Sequence, residues 1–478
     1  MRAPRRVPIR RVLVPLGAIV ALAGTLLSSV GAAGAAGGAD WSTYGYDDAR
    51  TGYNPNETIL STSTVGGLHE VWSYDLGAVT ISQPAFASGV MVNSQPTDIV
   101  YEGSEHGHLV ALNAATGALI WDRDLGSVDT ECHDMPDTIF GVSGTPVIVR
   151  SQNLLFEAGG DGQVYALDLS TGETRPGWPV AITTDPVHEH VYGGMTLLGR
   201  DLYVATASMC DFGSYHGHIV DIDVVTATRK ASWYTVGKTV IGGGIWGPGG
   251  VSVDTATKHV FTATGNAFAD PESYRFAEHV VELGQYLRVK GADYPGIEGT
   301  DSDFGATPIL FHAPGCPPQV AAKNKTGFVV VYTRGDVTAG ATQRLQIAAV
   351  TSQFFNGIPA WDPTTNRLFI GNSSASSPYV RGMVALKIQG DCTLALDWQN
   401  SISDPGGNDS MSPPTVANGV VYYGNGFGKK EWAFDAATGT KLWDSGSTIT
   451  ANIYAAPTVI NGMLFVGSWD HKLHAFGL

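Results

Sequence analysis

The chain is poor in cysteine and in positive charge, and each shortage excludes a class of protein. Its four cysteines are Cys132, Cys210, Cys316 and Cys392. None lies in a Cys-x-x-Cys-His arrangement, which excludes a covalently attached haem domain. Lys and Arg number 28 against 44 Asp and Glu, for a formal charge of −16. So acidic a protein repels phosphate backbones and anionic lipid surfaces, which argues against nucleic-acid and membrane-surface binding.

Long hydrophobic runs are also lacking, except near the N-terminus. Five arginines precede an apolar stretch from Val12 to Leu27, and small residues follow up to Ala39. We therefore expect residues 1–39 to be a signal peptide, with secretion of the mature chain at residues 40–478 and no membrane insertion after cleavage. A retained anchor is the alternative, but the run is short and contains glycine. An even cysteine count outside the cytosol predicts disulfides, with three possible pairings.

What the chain does contain is an internal repeat. Four stretches each combine an alternating strand, a turn rich in Asp, Thr and Gly, and a second strand that ends in tryptophan, which is a hairpin signal. They are HLVALNAATGALIW, QVYALDLSTGETRPGW, HIVDIDVVTATRKASW and WAFDAATGTKLW. We expect the tryptophans to pack between neighbouring sheets rather than to contact a ligand.

A second landmark, a small residue and usually proline before a strand, occurs eight times at intervals of 43 to 62 residues. The positions are Pro84, Pro146, Gly194-Met195, Pro248, Pro308, Pro359, Pro414 and Pro457. Each interval accommodates a four-stranded antiparallel sheet, which is the blade of a β-propeller. The last blade lacks an outer strand, and the unassigned strand around Trp72 can supply it. The sequence therefore predicts an all-β, eight-bladed propeller closed by its N-terminal strand, in preference to an open solenoid or two sandwiches.

The repeat YALDxxTGxxxW resembles the tryptophan-docking motif of pyrroloquinoline quinone (PQQ) propellers over essentially the whole mature chain. The stretch from Gly242 to Asn266 is similar to the quinoprotein alcohol dehydrogenase segment that supplies a tryptophan under the quinone and an asparagine ligand to the metal. The resemblance assigns these roles to Trp246 and Asn266. Two extra residues separate them here, in a Gly-Pro-Gly-Gly stretch.

Three more segments carry the resemblance. DSDFGATPIL matches the acidic stretch of the family, which makes Asp303 the catalytic base and a metal ligand, with Asp301 as an alternative base. ASMCDFGSYHGHI places Asp211 at the position of a metal-binding glutamate and Ser208 at a cofactor contact. Lys325 stands where the family has a cation that hydrogen-bonds the quinone oxygens. Oxygen ligands of this kind favour Ca²⁺.

In one respect the chain departs from the family, because it lacks the adjacent cysteines whose disulfide covers the cofactor. In a propeller, the loops between blades and the second loop within a blade open on one face. Cys132 and Cys210 fall in such loops, whereas Cys316 and Cys392 fall in loops on the opposite face. We therefore expect the pairs Cys132–Cys210 and Cys316–Cys392.

The resemblance thus implies a secreted dehydrogenase that depends on PQQ and Ca²⁺. It would oxidise an alcohol, a sugar or a hydroxylated polymer and pass electrons to an external acceptor. The amino-acid sequence around Asp303 is most similar to that of polyvinyl alcohol dehydrogenase-like proteins. The alternative is a non-catalytic propeller that serves as a secreted binding or assembly scaffold.

Overall fold

The computed structural model describes residues 38–268, 275–297, 301–349, 357–402, 412–426 and 428–478. The predicted signal peptide lies almost wholly outside these residues. Among the helices of the described part, none has both the length and the apolar character needed to cross a membrane.

Eight antiparallel sheets of four strands make up the fold, as the repeat predicts, and the sheet of blade 7 gains a fifth, parallel strand at Tyr53–Asn54. Blades 1 to 4 consist of Ala85–Val92, Gln95–Gly103, His108–Asn113 and Leu119–Asp124; Val147–Val149, Leu154–Ala158, Gln163–Asp168 and Val180–Ala181; Thr196–Leu198, Asp201–Ala205, His218–Asp223 and Thr228–Tyr234; Ser252–Asp254, His259–Ala263, Val280–Leu283 and Val289–Asp293. Blades 5 to 8 consist of Ile309–Phe311, Gln319–Asn324, Phe328–Thr333 and Gln343–Gln346; Ala360–Asp362, Arg367–Asn372, Gly382–Ile388 and Leu394–Ser401; Thr415–Ala417, Val420–Asn425, Lys430–Asp435 and Lys441–Asp444; Thr458–Ile460, Met463–Gly467, Lys472–Gly477 and His69–Asp75. We call the first strand of each blade its inner strand.

Short elements decorate the loops between these strands. Two-stranded ribbons join Val128–Asp129 to Ile139–Phe140 and Ile241–Gly242 to Ala267–Phe268. Single turns of 3₁₀ helix lie at Val65–Gly67, Pro136–Thr138, Arg150–Gln152, Met209–Asp211 and Val337–Ala339.

The ring closes as predicted. His69–Asp75, which contains Trp72, pairs antiparallel with Lys472–Gly477 and supplies the outer strand of blade 8. The alternatives of an open solenoid or two sandwiches are therefore wrong. One detail differs from the prediction: the outer strand of blade 2 is Val180–Ala181, so Trp178 precedes it rather than lying within it.

The tryptophans dock between blades. The indole N–H of Trp121 donates to the carbonyl oxygen of Leu169 in the next blade at 3.0 Å. The same indole lies against Gly172 of the Thr-Gly turn, where a Cβ atom would come within 2.8 Å of the ring. Gly172 has a φ of +67°, which favours glycine, so the motif needs glycine both for the turn and for the indole. The tryptophan and the Thr-Gly turn of the repeat therefore form a contact between neighbouring blades.

A segment that the repeat does not explain runs around the inside of the ring. Residues 41–54, which we call the N-terminal belt, hydrogen-bond to all eight inner strands or the residues beside them, in order. The contacts are Trp41 with Phe86, Ser42 with Ile148, Thr43 with Met195, Asp48 with Val253, Ala49 with Leu310, Thr51 with Trp361, Gly52 with Val416 and Asn54 with Val459. The belt thus ties every blade to one strand of chain beneath the loops that carry the site.

Candidate functional site

Three of the predicted site residues, Asp301, Asp303 and Trp246, meet at the ammonium group of Lys325. This lysine follows the second strand of blade 5, whereas Asp301 and Asp303 precede its inner strand. Lys325 Nζ lies 3.0 Å from Asp301 Oδ1 and 3.0 Å from Asp303 Oδ2. The same Nζ lies 4.7 Å from the centroid of the Trp246 ring, which comes from the loop between blades 3 and 4. Two loops between blades and one loop within blade 5 therefore converge on one point of one face.

Asn266 joins this group through its backbone. Its N–H donates to Asp303 Oδ1, so both oxygens of the almost fully buried Asp303 carboxylate accept hydrogen bonds. The neighbouring Gly265 leaves no room for a side chain, since a Cβ there would lie 2.8 Å from Asp303 Oδ1 and 3.4 Å from Trp246 Nε1. Among the described residues, the side-chain amide of Asn266 accepts and donates no hydrogen bond. It remains available as an oxygen ligand.

Asp211 lies in the loop after the second strand of blade 3 and accepts a short hydrogen bond from the Tyr215 hydroxyl. Burial raises the pKa of Asp211, the Tyr215 hydroxyl lowers it, and the negative charge of Asp303 raises it again, so the net direction is upward. Asp211 is thus close enough to Asp303 for the negative charge of Asp303 to raise the pKa of Asp211. Its φ is +57° and that of the preceding Cys210 is +54°, both in the left-handed region.

Ser208 is the predicted residue with the weakest link to this group. Its hydroxyl donates to the carbonyl oxygen of Phe212 at 3.0 Å, within its own loop. Its predicted contact with a cofactor therefore stays a prediction.

A further carboxyl group, which the sequence analysis missed, is Glu278. It accepts a hydrogen bond from the Ser302 hydroxyl, next to both predicted aspartates. Burial raises the pKa of Glu278, and the charges of Asp303 and Asp301 raise it further. No sequence motif includes Glu278, which lies in an irregular turn.

The site opens into a small cavity along the ring axis. Its lining comes from loops around the ring and consists of Ile81, Ser143, Tyr192, Trp246, Pro248, Gly305 and Tyr454. Tyr192 meets the Trp246 ring edge-on at 6.4 Å between centroids. Tyr454 in turn meets Trp469 edge-on at 4.6 Å. A small cavity lined by three aromatic and several small or apolar side chains, which shares Trp246 with the charged cluster, is a usual setting for a small organic ligand.

The donor set suits a hard divalent cation. Asp301 and Asp303 contact the Lys325 ammonium, the charge of Asp303 also acts on Asp211 and Glu278, and burial raises the pKa of Asp211, Glu278 and Asp301. Carboxylate and amide oxygens are the ligands that Ca²⁺ prefers, and an added cation relieves the mutual repulsion of these acids. The face of Trp246 with Lys325 above it likewise suits a planar anionic cofactor.

Both predicted disulfides are confirmed. Cys132 is bonded to Cys210 and Cys316 to Cys392, and no cysteine is free. The first bridge holds the loop before blade 2 against the loop of Asp211. Within the described residues, the only tight cluster of three metal-binding side chains is Cys132, Asp134 and Cys210, whose thiols are consumed by this bridge.

Comparisons with known proteins agree with this geometry. Residues 41–185 match the PQQ family, described as the glucose/ethanol/alcohol dehydrogenase β-propeller domain. A polyvinylalcohol dehydrogenase of Pseudomonas sp. is 20% identical over 489 residues, which cover 90% of this chain and 73% of that protein. A 1-butanol dehydrogenase (cytochrome c) of Thauera butanivorans is 27% identical over 222 residues, or 36% of this chain and 30% of that protein.

A solved quinohemoprotein alcohol dehydrogenase from Comamonas testosteroni superposes with a TM-score of 0.69 at 17% identity, covering 92% of this chain and 80% of that one. At this identity the superposition establishes the fold alone, and the sequence matches carry the relationship. Over residues 41–185 and in its eight-bladed fold, the chain is therefore similar to the PQQ β-propeller proteins, and its sequence relatives include the two alcohol dehydrogenases named above.

Proposed function

We propose that this chain is an exported dehydrogenase that binds PQQ and Ca²⁺ and oxidises an alcohol, which includes sugars and hydroxylated polymers. One observation carries the proposal: the Lys325 ammonium bridges Asp301 and Asp303 above the ring of Trp246. A scaffold that had lost its ligand would have no need of a half-buried cation held over an aromatic face by two acids.

Each residue then has a role that its contacts support. Trp246 would be the floor on which a planar ring system rests, and Asp211, Asn266 and Asp303 would supply oxygen ligands to the cation. A bound quinone would supply the hydride acceptor for the alcohol, and the cation would supply the Lewis acid. The electrons then need an external acceptor, because the chain has no haem motif.

An aspartate of the pair takes the hydroxyl proton of the substrate. Asp303, which matches the base of the family, has both oxygens engaged by the Asn266 N–H and by Lys325. Asp301 is more exposed, and burial raises its pKa, with Lys325 opposing and Asp303 adding to the rise. Lys325 stays charged: burial lowers its pKa, but Asp303 and Asp301 outweigh that effect. Its positive charge favours the carboxylate form of Asp301, which is the form that accepts a proton.

Reconstitution tests the proposal. The mature protein is titrated with PQQ in the presence of Ca²⁺, and reduction of an artificial dye is followed with a panel of alcohols and sugars. We expect saturable quinone binding at micromolar cofactor and dye reduction with at least one alcohol.

Two variants locate the chemistry. Asp303→Asn should retain the fold and lose turnover by about 10²- to 10⁴-fold, the usual contribution of a general base. Asp254→Asn is the matched control, since Asp254 is an ion-paired aspartate of the same ring that pairs with Arg334 away from the site. Absence of saturable quinone binding by the wild-type protein would contradict the enzyme and favour the scaffold.

A further inference from the structure

The N-terminal belt passes directly beneath the loop that carries Trp246. A Cβ atom on Gly249 of this loop would lie 3.1 Å from Tyr44 Cδ1 and 3.3 Å from Arg50 Cδ. On Gly194, in the neighbouring loop, it would lie 3.1 Å from Tyr44 Cβ. The Gly-Pro-Gly-Gly stretch is therefore free of side chains where the belt packs against it.

Arg50 is the centre of this contact. It is 1% exposed, and its guanidinium donates five hydrogen bonds, the full number that the group can make. The acceptors are the backbone oxygens of Tyr44, Met195 and Val251 and the hydroxyls of Thr43 and Thr196. Burial lowers the pKa of Arg50, and the negative charges of Asp48 and Asp47 in the same belt oppose that effect. So fully buried and fully bonded an arginine holds its partners in one arrangement.

Three of its acceptors belong to the two blades that flank Trp246. Thr196 begins the inner strand of blade 3, Met195 immediately precedes it, and Val251 immediately precedes the inner strand of blade 4. Arg50 Nε lies 3.1 Å from the Val251 oxygen, at the end of the loop that starts with Trp246. The other end of the same loop is tied by the Pro248 oxygen, which accepts the Gly194 N–H at 2.8 Å.

We propose that Arg50 is a positioning residue that fixes the Trp246 loop from below and so sets the plane of the aromatic floor. The use of that floor for a quinone rests on the function proposed above. The geometry of the floor itself does not, and it can be measured without any cofactor.

The test compares Arg50→Lys, which keeps the charge and loses the fork of donors, with Arg334→Lys. Arg334 is a matched control because it also joins neighbouring inner strands, through Asp254 at 3.2 Å and the Phe311 oxygen at 3.4 Å, but does not contact the site. Both proteins are labelled with 5-fluorotryptophan, and the ¹⁹F resonance of Trp246 is assigned from its loss in Trp246→Phe. The affinity for PQQ is measured in parallel.

We expect the Trp246 resonance to shift or split in Arg50→Lys and to stay in place in Arg334→Lys. Quinone binding should weaken by about 10- to 100-fold in Arg50→Lys alone, the scale at which misplacement of a contact by an ångström acts. Thr196→Val removes one acceptor of Arg50 with little change of shape and should move the same resonance in the same direction, which covers the case in which Arg50→Lys does not fold.

An unchanged Trp246 resonance in Arg50→Lys and Thr196→Val, or an equal change in Arg334→Lys, overturns the positioning role. If the resonance responds as expected but the wild-type protein binds no quinone, the positioning role stands and the proposed function fails.

Discussion

The two disulfides offer a comparison in which chain entropy cancels. Their cysteines are 78 and 76 residues apart, so each bridge removes almost the same loop-closure entropy from the unfolded chain. The chain-entropy relation gives about 4.5 kcal/mol for either one. We therefore expect Cys132→Ser/Cys210→Ser and Cys316→Ser/Cys392→Ser to lose similar free energies of unfolding.

Their effects on the site should differ. Cys210 and Asp211 both have a positive φ, which costs about 1–2 kcal/mol per residue, and the Cys132 bridge anchors the loop that contains them. Without the bridge, the loop of Cys210 and Asp211 can leave this left-handed conformation. Ca²⁺ binding must then restore the conformation, and its free-energy cost is subtracted from the binding free energy. A cost of about 2 kcal/mol corresponds to about 30-fold weaker Ca²⁺ binding.

The measurement has two parts, urea denaturation for stability and Tb³⁺ luminescence with Ca²⁺ competition for the metal site. The expected result is weak Ca²⁺ binding in the Cys132/Cys210 variant alone. If both double variants bound Ca²⁺ with the same affinity, whether that affinity equalled the wild-type value or was weaker, the reasoning would be refuted.

Three further predictions concern charge and packing. Lys325→Met removes the cation that lowers the pKa of Asp301, so the acid limb of the pH–rate profile should move to higher pH. The control is Lys230→Met, because Lys230 forms an ion pair remote from the site, and it should leave the profile unchanged. Asp470 has a pKa lowered in the fold, mainly by its hydrogen bond to a histidine and despite burial. The stabilisation that follows is present above the unfolded pKa of about 3.9 and is lost as the pH falls below it. Asp470→Asn should therefore lower the free energy of unfolding at pH 7 by about 2 kcal/mol, and the difference from wild type should shrink at pH 3. Gly249→Ala brings a Cβ within 3.0–3.3 Å of three side chains below the loop, so it should weaken quinone binding more than it lowers Tm.

Local patterns predicted the blades because each blade is a local structure. The Thr-Gly turn and the alternating strands specify a hairpin by themselves, and the tryptophan that follows has one place to dock, against the glycine of the next turn. The spacing of the strand starts then fixed the number of blades. Closure by the strand of Trp72 followed from a missing outer strand at the other end of the chain.

Part of the site could likewise be predicted from the sequence. Trp246, Asp303 and Lys325 were named from motifs, and the fold brings them within a few ångströms. Glu278 and Tyr215 were missed: Glu278 lies in no motif, and Tyr215 lies in the segment of Asp211 but received no role, since it matters only through the carboxylate beside it.

The sequence by itself determined the architecture and the cysteine pairs, because turn chemistry and strand alternation act over a few residues and a ring repeats them. The candidate site residues came from the resemblance of particular segments to a known family. Only the tertiary structure decided the path of the N-terminal belt and the role of Arg50. Those contacts are single hydrogen bonds to strands as far as 405 residues away, such as that of Asn54 to Val459. No local pattern encodes such partners, because they exist only once the ring has closed.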